Sequence, residues 1–263
     1  MNILKITTSL VTLLCLFLIS YKGTIHSNEA LFAYGIGFSL AIFFYFTKIK
    51  WKNNYEIITW KQLLLFSVPA LGSIIVKLSL DVVSQFLIKE QFGFVELSKY
   101  AIANRVLLSV KIFSGLLMMF FPVLYYREID KKNKVFLNRI RLILIVIIFT
   151  IGSLGIVFGE EIYWLMGASK YINDVEIYNV LVITEFIFVV GGLWGIYLAY
   201  TLKTYISLTI YLIGAILNVV LLKVYLPIYG IYVAPYSILA SNLLISALMI
   251  IMSYKKEKIH LNS

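Results

Sequence analysis

Five ionisable side chains stand inside stretches that are otherwise almost wholly apolar: Lys77, Asp81, Arg105, Lys111 and Glu185. In a dry setting such groups have a short list of uses. An arginine grips phosphate oxygens bidentately and keeps its charge at any accessible pH. Lysines offset the charge of an anion, and carboxylates carry protons or hold a cation. A charge at the centre of a bilayer costs on the order of 2.5–3.5 kcal/mol on insertion scales, so these five are not expected to face lipid. Taken together they read as the lining of one water-accessible chamber with a positive excess, suited to an anionic substrate group. Local readings stand beside this one. Lys77 and Asp81 are four apart on one helix face and make a structural pair on their own. Lys111 lies six residues from Arg105, about 120° around an ideal helix, and so need not face the same part of the chamber. Lys99, near the end of its apolar segment, reads as snorkelling to the interface.

The elements that position these groups follow from the apolar runs. The chain has 263 residues, of which 61% are hydrophobic and 14% charged. Apolar stretches of about 20 residues, the length that crosses a hydrocarbon core, recur about eight times. They fall at about 3–21, 29–48, 61–83, 96–122, 140–159, 176–200, 204–224 and 231–253. Gly159, Gly167, Pro227 with Gly230, and the polar stretch 131–133 punctuate them. Pro69 and Pro122 sit within apolar segments as kinks or broken-helix sites, and Gly191, Gly192 and Gly195 suit close helix packing. The fold class is all-α, an integral membrane helical bundle with about eight transmembrane helices.

Charge sets the orientation. Lys and Arg collect in alternate connections: Lys48, Lys50 and Lys52, the group Arg127 to Arg141, Lys203, and Lys255, Lys256 and Lys258. The opposite side holds only Lys22, Lys89, Lys170 and Lys223. This asymmetry places both termini in the cytoplasm. It also explains the formal net charge of +10 without nucleic acid, since no single module carries a basic face. The N-terminal apolar run ends in Ile19-Ser20-Tyr21-Lys22 with no small-residue cleavage site, so it is expected to remain as a first span. Cys15, the only cysteine, has no internal partner. Short loops and the lack of metal-ligand spacing, phosphate loop or nucleophile elbow predict no enzyme and no cofactor. The loop around Glu160, Glu161, Lys170 and Asp174 is the longest on its side and reads as an interfacial segment or a small acidic site.

Particular stretches resemble a known family. Trp60-Lys61-Gln62-Leu63-Leu64-Leu65-Phe66-Ser67-Val68-Pro69-Ala70-Leu71 is similar to the basic linker and proline-bearing seventh helix of the O-antigen (Wzx-type) oligosaccharide flippases of the MATE/MVF superfamily. Asp81 stands where such proteins carry an acidic residue, and Leu97-Ser98-Lys99-Tyr100-Ala101-Ile102-Ala103 resembles the start of the eighth helix. Pro122 with Tyr125 resembles its exit, and Asn218 followed by Leu226-Pro227-Ile228-Tyr229-Gly230-Ile231 resembles the eleventh-to-twelfth connection. The resemblance implies a six-helix MATE-like C-terminal lobe at 55–263, preceded at 1–54 by two helices that correspond to the end of the N-terminal lobe. The family's first four helices have no counterpart.

The implied function is translocation of a polyprenyl-pyrophosphate-linked oligosaccharide, such as an O-antigen or similar repeat unit, across the bacterial cytoplasmic (inner) membrane. Arg105, Lys77 and Lys111 would offset the pyrophosphate, with Asp81 and Glu185 in the same chamber. The implied partners are the lipid-linked oligosaccharide, membrane lipids, and a separate N-terminal half or polysaccharide assembly proteins. Three other readings compete: a cation-coupled multidrug-type antiporter of the same fold, a membrane glycosyltransferase or polymerase, and a non-functional truncated remnant.

Overall fold

The computed structural model describes residues 60–262, and all of the long elements among them are helices. The spans expected at about 3–21 and 29–48, and the division between residues 54 and 55, lie outside the described residues. The first helical stretch, Trp60–Ile129, runs for 70 residues. A straight helix of that length would reach about 105 Å, more than three times a hydrocarbon core. Gly93 interrupts it with φ 78° and ψ −169°, torsions open only to glycine. The chain reverses there, because Asp81 and Lys111, thirty residues apart, meet at 3.6 Å. Two helices result, α1 (60–92) and α2 (94–129).

After a turn at 130–133 come α3 (Lys134–Val157), the short α4 (Gly159–Leu165), a 3-10 turn (Ser169–Asp174), α5 (Val175–Tyr200), α6 (Thr204–Tyr229) and α7 (Val233–Asn262). Gly230 ends α6 with φ 73° and ψ −164°, almost the torsions of Gly93. The hairpins α1–α2 and α6–α7 therefore reverse by the same backbone device. Of the described residues, six helices are long enough to span a membrane once the two glycine breaks are respected.

Helix limits differ from the apolar limits in an informative way. The span expected at 140–159 begins at Lys134, where the Asn133 side chain caps the helix by accepting from the Phe136 amide. The span expected at 96–122 continues to Ile129, carrying Pro122 inside it. Hydropathy registers where side chains become polar, while the backbone stays helical through several charged residues. Pro235 sits in the first turn of α7, where the missing amide costs little.

Large apolar side chains such as Leu71, Ile75, Leu142, Phe149, Ile216 and Ile251 are exposed, and only 22% of the most apolar stretch of α3 is buried. The interior is apolar too, with Ile88, Val106, Leu193 and Leu222 among its buried residues, but it also holds Ser73, Ser84, Ser114, Thr184, Asn218, Ser237, Ser241 and Ser246. Asn218 illustrates why. Its carboxamide accepts from the Ser237 hydroxyl at 2.8 Å and reaches the Leu80 carbonyl at 3.5 Å, joining α6 to α7 and α1. Lipid is as apolar as leucine, so helices associate through such bonds and through close packing. At Gly191 a Cβ would lie 2.6 Å from the Ser246 Cα, and the Ser246 hydroxyl donates to the Ile187 carbonyl at 2.8 Å. There α5 and α7 touch backbone to backbone. Gly192 faces only the flexible end of Met118.

Candidate functional site

Three helices bring ionised groups to one place. α1 supplies Lys77 and Asp81, α2 supplies Lys111, and α5 supplies Glu185; these four line a single cavity of about 40 Å³ with Thr184, Phe188 and Asn242. Lys111 pairs with Asp81 at 3.6 Å, so the pair expected within α1 between Lys77 and Asp81 is not the one formed. Lys77 instead sets its ammonium 3.7 Å over the Phe188 ring. The Ser114 hydroxyl, one turn on from Lys111, donates to Glu185 at 2.8 Å. Asn242 contributes a buried carbonyl oxygen without a hydrogen-bond partner. An orphan acceptor beside a polar void of this size calls for water, and about 40 Å³ has room for roughly two molecules.

Arg105 does not join them. It is exposed on α2, on the stripe that carries Leu108, Ile112 and Leu116. The reason is angular: six residues separate it from Lys111, and that rotates its side chain about 120° away. The positive excess expected of a common chamber is therefore absent from the cavity, whose two lysines and two carboxylates balance. Lys111, the member with the least certain direction in the sequence, is the one that bonds across helices. Lys77 is exposed at the rim, while Asp81, Lys111 and Glu185 are half-buried. Lys99 is held by Glu96 at 2.8 Å rather than standing alone at the interface.

Two features escaped sequence reasoning. Thr184 and Asn242 complete the cavity and Ser114 holds its Glu185 from outside the lining; a lone Asn in the apolar run of α7, and hydroxyls next to charges, were the available signals. The second is a buried ion pair. Arg141, read as a loop charge, and Glu257, in the polar tail, meet through one guanidinium nitrogen, Nη2, which donates to both carboxylate oxygens at 2.9 and 2.8 Å, while the buried Nε has no partner. Tyr125 donates to the same carboxylate at 3.0 Å, and the Arg141 guanidinium lies 5.2 Å from both the Tyr125 and Trp194 rings. Four helices, α2, α3, α5 and α7, are tied at this point.

No protein-family profile matches the chain, and no curated protein matches it by sequence. Among solved structures it superposes on the outward-facing conformation of a multidrug resistance MATE family transporter of the MOP superfamily. The TM-score is 0.76 at 11% identity, over 99% of this chain and 63% of that one. The architecture is thus the MATE transporter fold, in an all-helical, multi-pass membrane protein. The chain spans 63% of that transporter's length.

Proposed function

We propose that this protein moves a polyprenyl-pyrophosphate-linked oligosaccharide across the bacterial cytoplasmic membrane, with both termini cytoplasmic and the Gly93 and Gly230 turns outside. The observation that supports the reading most is the convergence of Lys77, Asp81, Lys111 and Glu185 from three membrane helices on one cavity. A space of about 40 Å³ takes water and no sugar, so these groups serve as an internal counter-ion set. Lys77 at the rim and Arg105 on the exposed face of α2 are the cations placed to meet a pyrophosphate from outside the cavity. When Lys77 turns toward that anion, Asp81 and Glu185 are left sharing Lys111. The ion pairing inside the cavity therefore rearranges when the anion is engaged.

Alternating access needs a second lobe against this face, and a separate N-terminal half is the partner proposed for it. Transport involves no covalent step, so neither a catalytic residue nor a cofactor is assigned. In cells that depend on this protein, Arg105→Ala is expected to abolish surface polysaccharide at normal protein level. Normal polysaccharide in that variant would remove Arg105 from the mechanism.

A second reading is a cation-coupled multidrug antiporter of the same fold. It is favoured by the two carboxylates, Asp81 and Glu185, that line the cavity, and by the multidrug resistance role of the structural neighbour. Drug sensitivity on deletion, without a polysaccharide defect, decides for it.

A further inference from the structure

We propose that Phe188 is a positioning residue for the anion: its ring holds the Lys77 ammonium off the cavity's carboxylates and so keeps it available to a phosphate-class anion. The inference rests on the oligosaccharide reading and adds to it the device that leaves one cation uncommitted.

Lys77 has two carboxylates close by. Asp81 stands one turn on in α1, and Glu185 stands one turn before Phe188 on the same side of α5. Yet among the described residues Lys77 forms no ion pair. Its ammonium sits 3.7 Å from the centroid of the Phe188 ring instead. Both carboxylates are engaged elsewhere. Asp81 pairs with Lys111 at 3.6 Å, and Glu185 accepts from the Ser114 hydroxyl at 2.8 Å. Glu185 also lines a second void, of about 10 Å³, on the side of α2 and α3.

Phenylalanine is common in membrane helices, so its presence alone decides nothing. Geometry and backing do. At 3.7 Å from the centroid the ammonium lies over the face of the ring, where the quadrupole is negative, and not at its edge. Tyr211 of α6 supports the ring, with centroids 6.2 Å apart and planes inclined by 41°. The platform is thus carried by α5 and steadied by α6, while the cation comes from α1.

The energetics follow from the ring's lack of net charge. A cation on an aromatic face is held in place without being neutralised. An arriving phosphate gains a full counter-charge and need not first break an ion pair. Without the ring, the ammonium turns to Asp81 or Glu185, and the anion must compete with a pair closed inside the cavity. A neutral or cationic ligand gains nothing from this arrangement, so the device selects for negative charge.

The test is equilibrium binding of farnesyl pyrophosphate, with farnesol as the uncharged control, to the full chain in phosphatidylcholine nanodiscs. Lys77→Gln is expected to weaken binding about tenfold and Phe188→Leu about fivefold, the scale of a partly desolvated cation–π contact. Phe188→Tyr, which keeps the ring face, is expected to recover binding to within about twofold. Phe188→Met, flexible enough to fill the same space, repeats the measurement if the leucine variant fails to fold. In the Asp81→Asn/Glu185→Gln background Lys77 has no carboxylate to turn to, so Phe188→Leu should cost less than about twofold there. An equal loss in both backgrounds marks a merely structural phenylalanine and overturns the proposal, as does unchanged affinity in Phe188→Leu. Phosphatidylglycerol mixed into the discs separates the pyrophosphate from a lipid headgroup. Binding within about twofold of the pure discs is expected, and displacement by that lipid overturns the assignment. If Lys77→Gln weakens binding while the ring replacements do not, only Phe188 is removed and the proposed function stands. Binding that follows the ring, with no movement of lipid-linked oligosaccharide in vesicles, would break the proposed function and leave the positioning role.

Discussion

Two clusters of charge inside this bundle are built to opposite standards. At Arg141–Glu257 the side chains are 5% and 3% exposed, one guanidinium nitrogen reaches both carboxylate oxygens, and a tyrosine hydroxyl adds a third bond to the carboxylate, with only the Arg141 Nε left unpaired. At Lys111–Asp81 the side chains are 32% and 36% exposed, the single contact is 3.6 Å, and water-sized space remains beside it. The first arrangement has every reason to stay as it is, since separating a desolvated ion pair leaves two bare charges. The second holds its charges loosely and near a rim, where they can exchange partners. A finished ion pair fastens helices, and an unfinished one is available for work.

Breaking the finished pair should have the largest effect. Glu257→Ala leaves Arg141 buried and uncompensated, and about 3–5 kcal/mol of stability is expected to be lost. This should read as a large drop in the thermal midpoint of the detergent-solubilised protein. The double replacement Arg141→Met/Glu257→Met should recover most of that loss. If it does not, the pair is worth more than its packing volume.

A smaller loss is expected at the backbone crossing. Gly191→Ala places a methyl against the Ser246 backbone and must part α5 from α7, at about 1–3 kcal/mol. Gly192→Ala meets only the end of Met118 and should cost less, measured in the same melt.

Asp81→Asn addresses the unfinished pair. Because both partners are about one-third exposed, the stability change should stay near or below about 1 kcal/mol. Transport should fall severely, and that split between a normal melt and lost flux is what distinguishes the two clusters. Ser114→Ala removes one neutral-to-charged hydrogen bond to Glu185 and should shift stability by about 1 kcal/mol at most. Arg105→Ala should leave the melt unchanged within about 0.5 kcal/mol, as for exposed positions, so any transport defect is not a folding defect. A melt as disturbed by Asp81→Asn as by Glu257→Ala would erase the distinction.

The same contrast shows what a linear reading can reach. Lys77, Asp81, Lys111 and Glu185 stood out because charge in an apolar run is costly wherever it faces, and that cost can be read off one helix. Arg141 and Glu257 carried an equal charge but lay in polar surroundings along the chain, so nothing marked them. Their burial arises only when α3 and α7, which bring together residues 116 apart, cross at their ends. Arg105 was legible in both respects, since its cost and its angle of about 120° from Lys111 follow from helix periodicity alone.

The amino-acid order alone determined that this is a helical membrane protein, roughly where its spans lie, and which residues resist burial in lipid. Those properties are sums over neighbouring residues: hydropathy over about twenty positions, and loop charge counted side by side. Tertiary structure decided which charges pair across helices, and that Tyr225, Tyr229, Tyr232 and Tyr236, from two helices and the turn between them, line one cleft. Such facts depend on helix rotation and on contacts between distant segments, for which the chain order offers no local signal.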